Sequence, residues 1–534
     1  LSSSSSSSSS PLVSSSLPLT VPSTPQTTTA KRFLNLPQNF VPYPSSSRPP
    51  VFKKLDVSQI NEQKERQQQV KAELKDHVPL STLFPGAPDP KDATSFEVPP
   101  PQFSTLQNGV TVATQEIYGG TFNVEVMFKV GVLNETKKGM IAVLQHLAFQ
   151  SCSEDPSCVK FLTEAGANIF ANGLPEVFSF SGEGLRHHLP QVMSYIRDAI
   201  TKPSFSNETL EYFKDIVLSD SEMMTQDPSS WINQAAQKAG FPGSSLANRY
   251  QLNQRPDFTA EELAEFFNEN FHAGNMSISA AGVEHGEFLE LANQMFGDMK
   301  SRPPLPVVPQ KYVGNKMLKV PLPEGQSTTV CVGFEGPSLF GNIHAVCVLS
   351  SLMGGGHSFS AGGPGKGMYS RLVQDVLNHY HFVKTCLCEA EIFRETGMFS
   401  LHAVSDAPSS ALVLLELLVL ELESILKNVS ETEVSRAKNR LAGMYLTNLN
   451  SRASIVNDIN LQVLLHGEYF PIEYHLDKIS AVTKEDIQNL VVSLLQSPPT
   501  VVAAGPAEEL KVVPEIDKVV AFFNRILEEN TKKE

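Results

Sequence analysis

With 534 residues, a formal net charge of −15 and 41% hydrophobic residues, the chain can bury large cores, and its charge argues against a nucleic-acid binder. An acidic surface suits a basic partner or substrate, and equally a plain soluble exterior. Cys152, Cys158, Cys331, Cys347, Cys386 and Cys388 form no C-x-x-C pair and no dense framework, so they read as reduced, mostly buried thiols. Cys386 and Cys388 are two residues apart and would share one face of a strand.

The first 55 residues open with a serine run and hold no Asp or Glu; their charges are Lys31, Arg32, Arg48, Lys53 and Lys54. Ser-rich, basic and acid-free is the composition of an organelle transit segment, and also of low-complexity disorder. Residues 61–76 read as one solvated helix, and a Pro-rich stretch runs from Val78 to Pro101. Residues 1–100 are therefore assigned to an N-terminal extension.

Folded sequence begins with a hairpin signal, Asn108-Gly109 between two strand-like runs, which predicts a type I′ turn. Phe122, Val124, Val126, Phe128 and Val130 then alternate with Asn123, Glu125, Met127 and Lys129, the period-two pattern of a strand. A Gly-led helix is expected from Gly139 to Ser151, with further helices at 189–201, 207–224, 259–271 and 286–298 and a strand from Met276 to Ala281. Pro303, Pro304, Pro306 and Pro309 make 301–312 a stiff linker. Beyond it the order resumes with a strand, Thr328 to Phe334, and a Gly-led helix, Gly341 to Met353. Phe178-Ser179-Phe180-Ser181-Gly182 also has a counterpart in Phe399-Ser400-Leu401-His402-Ala403. The pattern predicts two similar α+β domains, 101–300 and 313–534. The best apolar run, Ala411 to Leu426, carries Glu416, Glu421 and Glu423, so it reads as a core-facing helix and not as a membrane span.

On the Gly139 helix, Ala142, Gln145 and His146 share one face. The H-x-x-E-H arrangement of zinc peptidases uses that face, with two His as ligands and Glu as base. Ala142 has no donor atom, and the Gln145 amide cannot take a proton from water as a carboxylate does. Only His146 survives, with Asp220 or Glu222 as the nearest candidate acids from a later helix. The plainer reading of His146 is a helical residue bonded to a neighbour. His187-His188 and the pair His379 and His381 lack partners at ligand spacing.

The second domain holds Gly354-Gly355-Gly356-His357-Ser358-Phe359-Ser360-Ala361-Gly362-Gly363-Pro364-Gly365-Lys366-Gly367, seven glycines in fourteen residues. It is no P-loop: the residue five before Gly365 is Ser360, and Gly367 follows Lys366 where Ser or Thr is needed. The Rossmann pattern fails as well, because Ser370 stands three after Gly367. A peptide-handling flap, a hinge and a bare glycine loop remain.

This stretch, continued as Met368-Tyr369-Ser370-Arg371-Leu372, resembles a signature of the pitrilysin-type processing peptidases, in particular their mitochondrial alpha subunits. The LNHYHFVKTC segment, the Glu395-Thr396-Gly397-Met398-Phe399 turn, Arg436-Ala437-Lys438-Asn439 and the Gly139 helix support the likeness, which covers roughly residues 103–530. It implies an α+β fold of two homologous domains, each an antiparallel sheet with helices packed on one face. It implies a non-catalytic, substrate-recognising subunit with no metal of its own, paired with a beta subunit that carries the zinc. Residues Gly354–Gly367 would bind the substrate, a basic amphipathic presequence peptide. The location implied is the mitochondrial matrix, or the matrix face of the inner membrane if the chain also serves as a core subunit of respiratory complex III. The alternatives are a purely structural core subunit and an independent zinc peptidase. Three departures from the family pattern stand out. His357 replaces a glycine, Asn172-Gly173-Leu174-Pro175-Glu176 keeps only the acid of a Ser-Arg-Glu pattern, and Ser454-Ile455-Val456-Asn457-Asp458 replaces an acidic-Gly stretch.

Overall fold

The computed structural model describes residues 99–225, 228–248, 254–306, 309–358 and 368–531. The extension 1–98, with the helix expected at 61–76, and Phe359–Gly367 of the glycine-rich stretch lie outside the described residues. The first half forms a sheet from β1 (Gln102–Thr105), β2 (Thr111–Gln115), β3 (Thr121–Phe128), β4 (Asn168–Gly173), β5 (Phe178–Leu185) and β6 (Met276–Ala281). Their order across the sheet is β1-β2-β6-β3-β5-β4. The second half forms another from β7 (Lys316–Leu322), β8 (Thr328–Gly336), β9 (Gly355–His357), β10 (Val383–Ile392), β11 (Gly397–Ser405) and β12 (Thr500–Pro506), in the order β7-β12-β8-β11-β10-β9.

Without the edge strands β1 and β9, the two orders are the same walk along the chain. Each sheet is antiparallel except for one pair, β2 with β6 and β7 with β12. The internal repeat expected from the sequence is thus present strand for strand. The long helices also fall where periodicity put them, at Leu189–Thr201, Asn207–Thr225, Ala260–Asn270 and His285–Phe296.

The main cores lie between each sheet and its own helices. In the first, Phe122, Val124, Val126 and Phe128 of β3 meet Met193, Ile196, Leu263 and Phe267. In the second, Val330, Val332 and Phe334 of β8 meet helix Ala411–Asn428, whose Leu414, Leu418, Leu422 and Ile425 are buried. Among the described residues no helix is long and apolar enough to cross a membrane.

Every residue of β3 after Thr121 is buried, including Asn123 and Glu125. The opposite face of the sheet is covered too, by a helix from the other half. Helix Arg452–Leu461 sets Ile455, Val456 and Ile459 against Ala113 and Ala281. Reciprocally, helix Pro228–Gly240 of the first half sets Trp231, Ile232, Ala235 and Ala236 against Cys331, Met398, Val502 and Ala504 of the second sheet. This exchange makes Phe96–Glu534 one compact unit. The linker is anchored at both ends. The Leu305 N–H donates to Asn275 Oδ1, and buried Tyr312 hydrogen-bonds through its hydroxyl with Pro498 O and Thr500 Oγ1.

Two expectations need correction. The Asn108-Gly109 turn is not type I′, because only Gly109 has a positive φ (91°). The Asn108 amide instead donates to the carbonyls of Phe296 and Met299, capping the end of helix His285–Phe296, and the turn widens to span Leu106–Val110. Cys152 and Cys158, read as thiols, form a disulfide. Asp155 ends helix Gln150–Glu154 and N-caps helix Pro156–Ala165, and the sharp turn between them brings the two Cα atoms to 5.5 Å. Cys331 and Cys386 are buried free thiols, and Cys388 follows Cys386 toward the helix layer.

Candidate functional site

Helix α1 (Met140–Leu147) starts at Gly139, whose φ of 88° a side chain would strain. The Glu135 carboxylate accepts the N–H groups of Gly139 (3.2 Å) and Ile141 (2.7 Å), closing the helix start. Burial pushes the Glu135 carboxyl up to about 7. Met140, Ile141, Val143, Leu144 and Leu147 face the core. The three zinc-motif positions lie on the other side of the helix, and each has structural surroundings. Ala142 packs against the edge of the core. Gln145 accepts the Gly173 N–H at 3.1 Å, tying α1 to the end of β4. His146 stacks on Phe213, with ring centroids 5.7 Å apart and planes 14° from parallel. Its Nε2 lies 3.4 Å from Asp220 Oδ2. Phe213 and Asp220 both belong to helix α2 (Asn207–Thr225), so Asp220 is the acid brought to His146. Among the described residues no three His, Cys, Asp or Glu side chains converge on a point where a metal could sit.

Helix α3 (Ile343–Met353) is the second-half counterpart of α1, and the glycine-rich stretch leaves from its end. The sequence suggested one continuous loop from Gly354 to Gly367. Its first part is instead the edge strand β9. Gly355 pairs with Leu387, Gly356 with Cys386 and His357 with Thr385. At Gly355, with φ 117°, a Cβ would fall 2.1 Å from the Cys386 carbonyl oxygen; at Gly354 one would fall 2.4 Å from the Ser370 side chain. Bare backbone is therefore required here to let β9 lie against β10. His357 has a concrete place: its Nδ1 shares a 2.9 Å hydrogen bond with the cross-strand Thr385 hydroxyl. The Ser358 N–H donates to Lys384 O.

The chain returns at Ser370, whose hydroxyl accepts the Gly355 N–H at 3.3 Å. Arg371 follows, nearly fully buried. Its guanidinium donates to both Glu433 oxygens (3.0 and 3.3 Å), to Ser424 Oγ (2.6 Å) and to Asn428 O (3.3 Å). The sequence around Arg371 predicts no role for it. No local signal could give it one, since its partners lie more than fifty residues downstream.

Comparison with known proteins agrees with this architecture. The sequence model of insulinase-type M16 peptidases matches residues 111–251, and that of the peptidase M16 inactive domain matches residues 257–441. The probable mitochondrial-processing peptidase subunit alpha-1 of Arabidopsis thaliana is 30% identical over 79% of this chain and 84% of its own length. The alpha subunit of Solanum tuberosum is 29% identical over 79% and 84%, and that of Bos taurus 27% over 83% and 90%. The chain belongs to peptidase family M16. Among M16 proteins its likeness is to processing-peptidase alpha subunits.

In this M16 chain the two divergent segments have internal partners. Both oxygens of Glu176 accept the Arg394 N–H at 3.1 Å, joining the start of β5 to the β10–β11 hairpin of the other half. Burial raises the Glu176 pKa, and that of nearby Lys129 is lowered, again chiefly by burial. These residues, with Gln310 and Glu395, line a small cleft of about 40 Å³ between the halves. Ser454–Asp458 sits in the helix that covers the first sheet. There Asn457 donates to Glu125 at 3.5 Å, and Asp458 accepts from Gln462 at 2.9 Å.

Proposed function

We propose that this M16 chain is the presequence-recognising, non-catalytic alpha subunit of a mitochondrial processing peptidase, working beside a beta subunit that supplies the zinc. One observation carries the reading: Ala142, Gln145 and His146 occupy the zinc-motif face, and Gln145 and His146 hold structural contacts there. Water activation needs about three protein ligands and a free base. A carboxamide that already accepts a backbone N–H is no base. The net charge of −15 would draw basic presequences toward the chain in the mitochondrial matrix. The stretch Gly354–Gly367, rooted on β9 and on Arg371, is the proposed presequence contact.

The test is metal analysis and peptide cleavage on the chain alone and with its beta partner. The expected result is no stoichiometric zinc and no cleavage alone, with both in the pair. Zinc and cleavage by the single chain would overturn the reading. Deleting Gly354–Gly367 should leave the pair assembled and weaken presequence binding; unchanged affinity would remove that stretch from the proposal. Native electrophoresis of mitochondrial membranes addresses the further role as a complex III core subunit, which requires co-migration with cytochromes.

A further inference from the structure

The Cys152–Cys158 disulfide lies between α1 and the exposed edge strand β4. It bridges two short helices of five and ten residues. Within residues 150–165 these two cysteines alone are buried, and the turn Ser153–Ser157 is fully exposed. Phe161, Leu162 and Ala165 of the second helix pack partly buried against the core, Phe161 edge-on to His188 and Tyr195 at centroid distances of 5.1 and 5.8 Å. Helices this short do not hold in water unaided. The first helix, Gln150–Glu154, has no apolar anchor besides Cys152, so the covalent bridge is its main tie to the second.

We propose that Cys152–Cys158 is a reversible thiol–disulfide site that orders residues 150–165 when oxidised and releases them when reduced. Cys152 Sγ is the point of attack, since Cys152 is 9% exposed and Cys158 1%. A thiolate of a small-thiol reductant attacks Cys152 Sγ, forming a mixed disulfide and expelling Cys158 as thiolate, which takes a proton. A second reductant thiolate attacks the reductant's own sulfur in the mixed disulfide. Cys152 leaves and is protonated, and the reductant ends as its disulfide. Two electrons and two protons have then passed to the chain. Cys158 is the leaving sulfur because attack falls on the more exposed partner, Cys152. The other four cysteines do not compete. Burial raises the pKa of Cys331, Cys386 and Cys388, and pushes the Cys347 thiol up to about 11. The site connects to the fold around α1: Ala148 and Phe149 join α1 to the first bridged helix, and Gly166 and Ala167 join the second to β4.

The test equilibrates the purified full chain in graded reduced and oxidised glutathione, counts thiols by maleimide mass shift, and follows amide exchange of residues 148–166. The expected result is one transition that exposes two thiols, assigned to Cys152 and Cys158. Reduction should speed amide exchange in 150–165 about tenfold or more, with the sheets unaffected. The double variant Cys152→Ser, Cys158→Ser should match the reduced form. A pair that stays oxidised in excess reduced glutathione, or equal exchange in both redox forms, overturns the proposal. If the variant fails to fold, the wild-type titration decides alone. None of these readouts depends on presequence processing, so their failure and that of the proposed function are separable.

Discussion

Two helices cross from one half of the molecule to the other, and each presents an asparagine to the sheet it covers. Asn460, fully buried, accepts the hydroxyls of Ser277 and Ser279, both at 2.7 Å, and donates to Glu125 O and Oε2 at 3.2 and 3.1 Å. Asn233, half-buried, donates to Glu389 and accepts from Ser400 at 3.3 Å and Cys331 at 3.6 Å. The two clasps use the same chemistry on repeated sheets, but only the first is closed. Glu125 also takes a bond from Ser181, and burial still lifts its pKa. A buried polar group is costly unless every partner is in place. The first clasp should therefore have much more to lose.

The largest expected effect follows from that difference. Asn460→Ala orphans two hydroxyls and strips one donor from the buried Glu125 carboxylate and should cost about 4 kcal/mol, while Asn233→Ala should cost about half as much. Urea denaturation of the full chain measures both. Equal losses would mean that the closed clasp adds nothing beyond the half-buried one.

Buried acids occur in both halves, and Glu421 and Glu416 of the second match Glu135 of the first. Glu421, on helix Ala411–Asn428, is pushed up to about 7 by burial and by nearby Asp375, with Arg371 opposing. Glu416 is likewise pushed up to about 7 by burial. The fold keeps the Glu421 proton between about pH 4.5 and 7, where the unfolded chain releases it, so stability falls as pH rises through that window. Glu421→Gln should gain about 2 kcal/mol over wild type at pH 8 and nothing at pH 4. Thermal or urea unfolding at the two values checks this, and a pH-independent gain would reject it. His402 works in the other direction. Burial holds its pKa down to about 4, and among the described residues neither ring nitrogen has a hydrogen-bond partner. The unfolded chain binds its proton below about pH 6.5 while the fold does not, so stability is lost as pH falls from there toward 4. His402→Leu should remove part of that acid-side loss, by about 1 kcal/mol at pH 5.

The strand pattern of β3 was legible because its apolar residues alternate with polar ones, although both faces are buried, and the long helices because each has one apolar face and a clear period. The helix exchange was not. The apolar face around Trp231 and Ile232 fits either sheet equally well as a pattern, and only the three-dimensional path of the chain selects the second. Glu125 alternated like a solvent-facing residue, and nothing local marks Asn460 as its partner. That Ala142 offers no metal donor and Gln145 no basic carboxylate could be read from chemistry alone, because a missing donor needs no geometry. Their structural roles could not, since Gly173 is twenty-eight residues from Gln145. β9 was hidden by its composition: Gly355 and Gly356 carry no strand preference, and their pairing depends on how closely β10 approaches.

The smallest expected effect lies at that edge. β9 has no counterpart in the first sheet, where the strand beside β5 is β4, itself the edge. His357 is the only side chain β9 offers to β10, through Thr385 Oγ1. His357→Gly removes one half-exposed hydrogen bond and one cross-strand pair, and adds backbone freedom to a chain already rich in glycine. Each contribution is a fraction of a kcal/mol, so the global loss should stay near 1 kcal/mol. The local consequence is larger. With no side chain holding it, β9 should open more often than β10, and the amide of Ser358, bonded to Lys384 O, should exchange several-fold faster. His357→Thr, which keeps a β-branched residue and a hydroxyl facing Thr385, should restore most of that protection. Hydrogen exchange at Ser358 in the two variants measures the ranking. Equal protection in both would show that Gly355 and Gly356 hold the strand through the backbone alone.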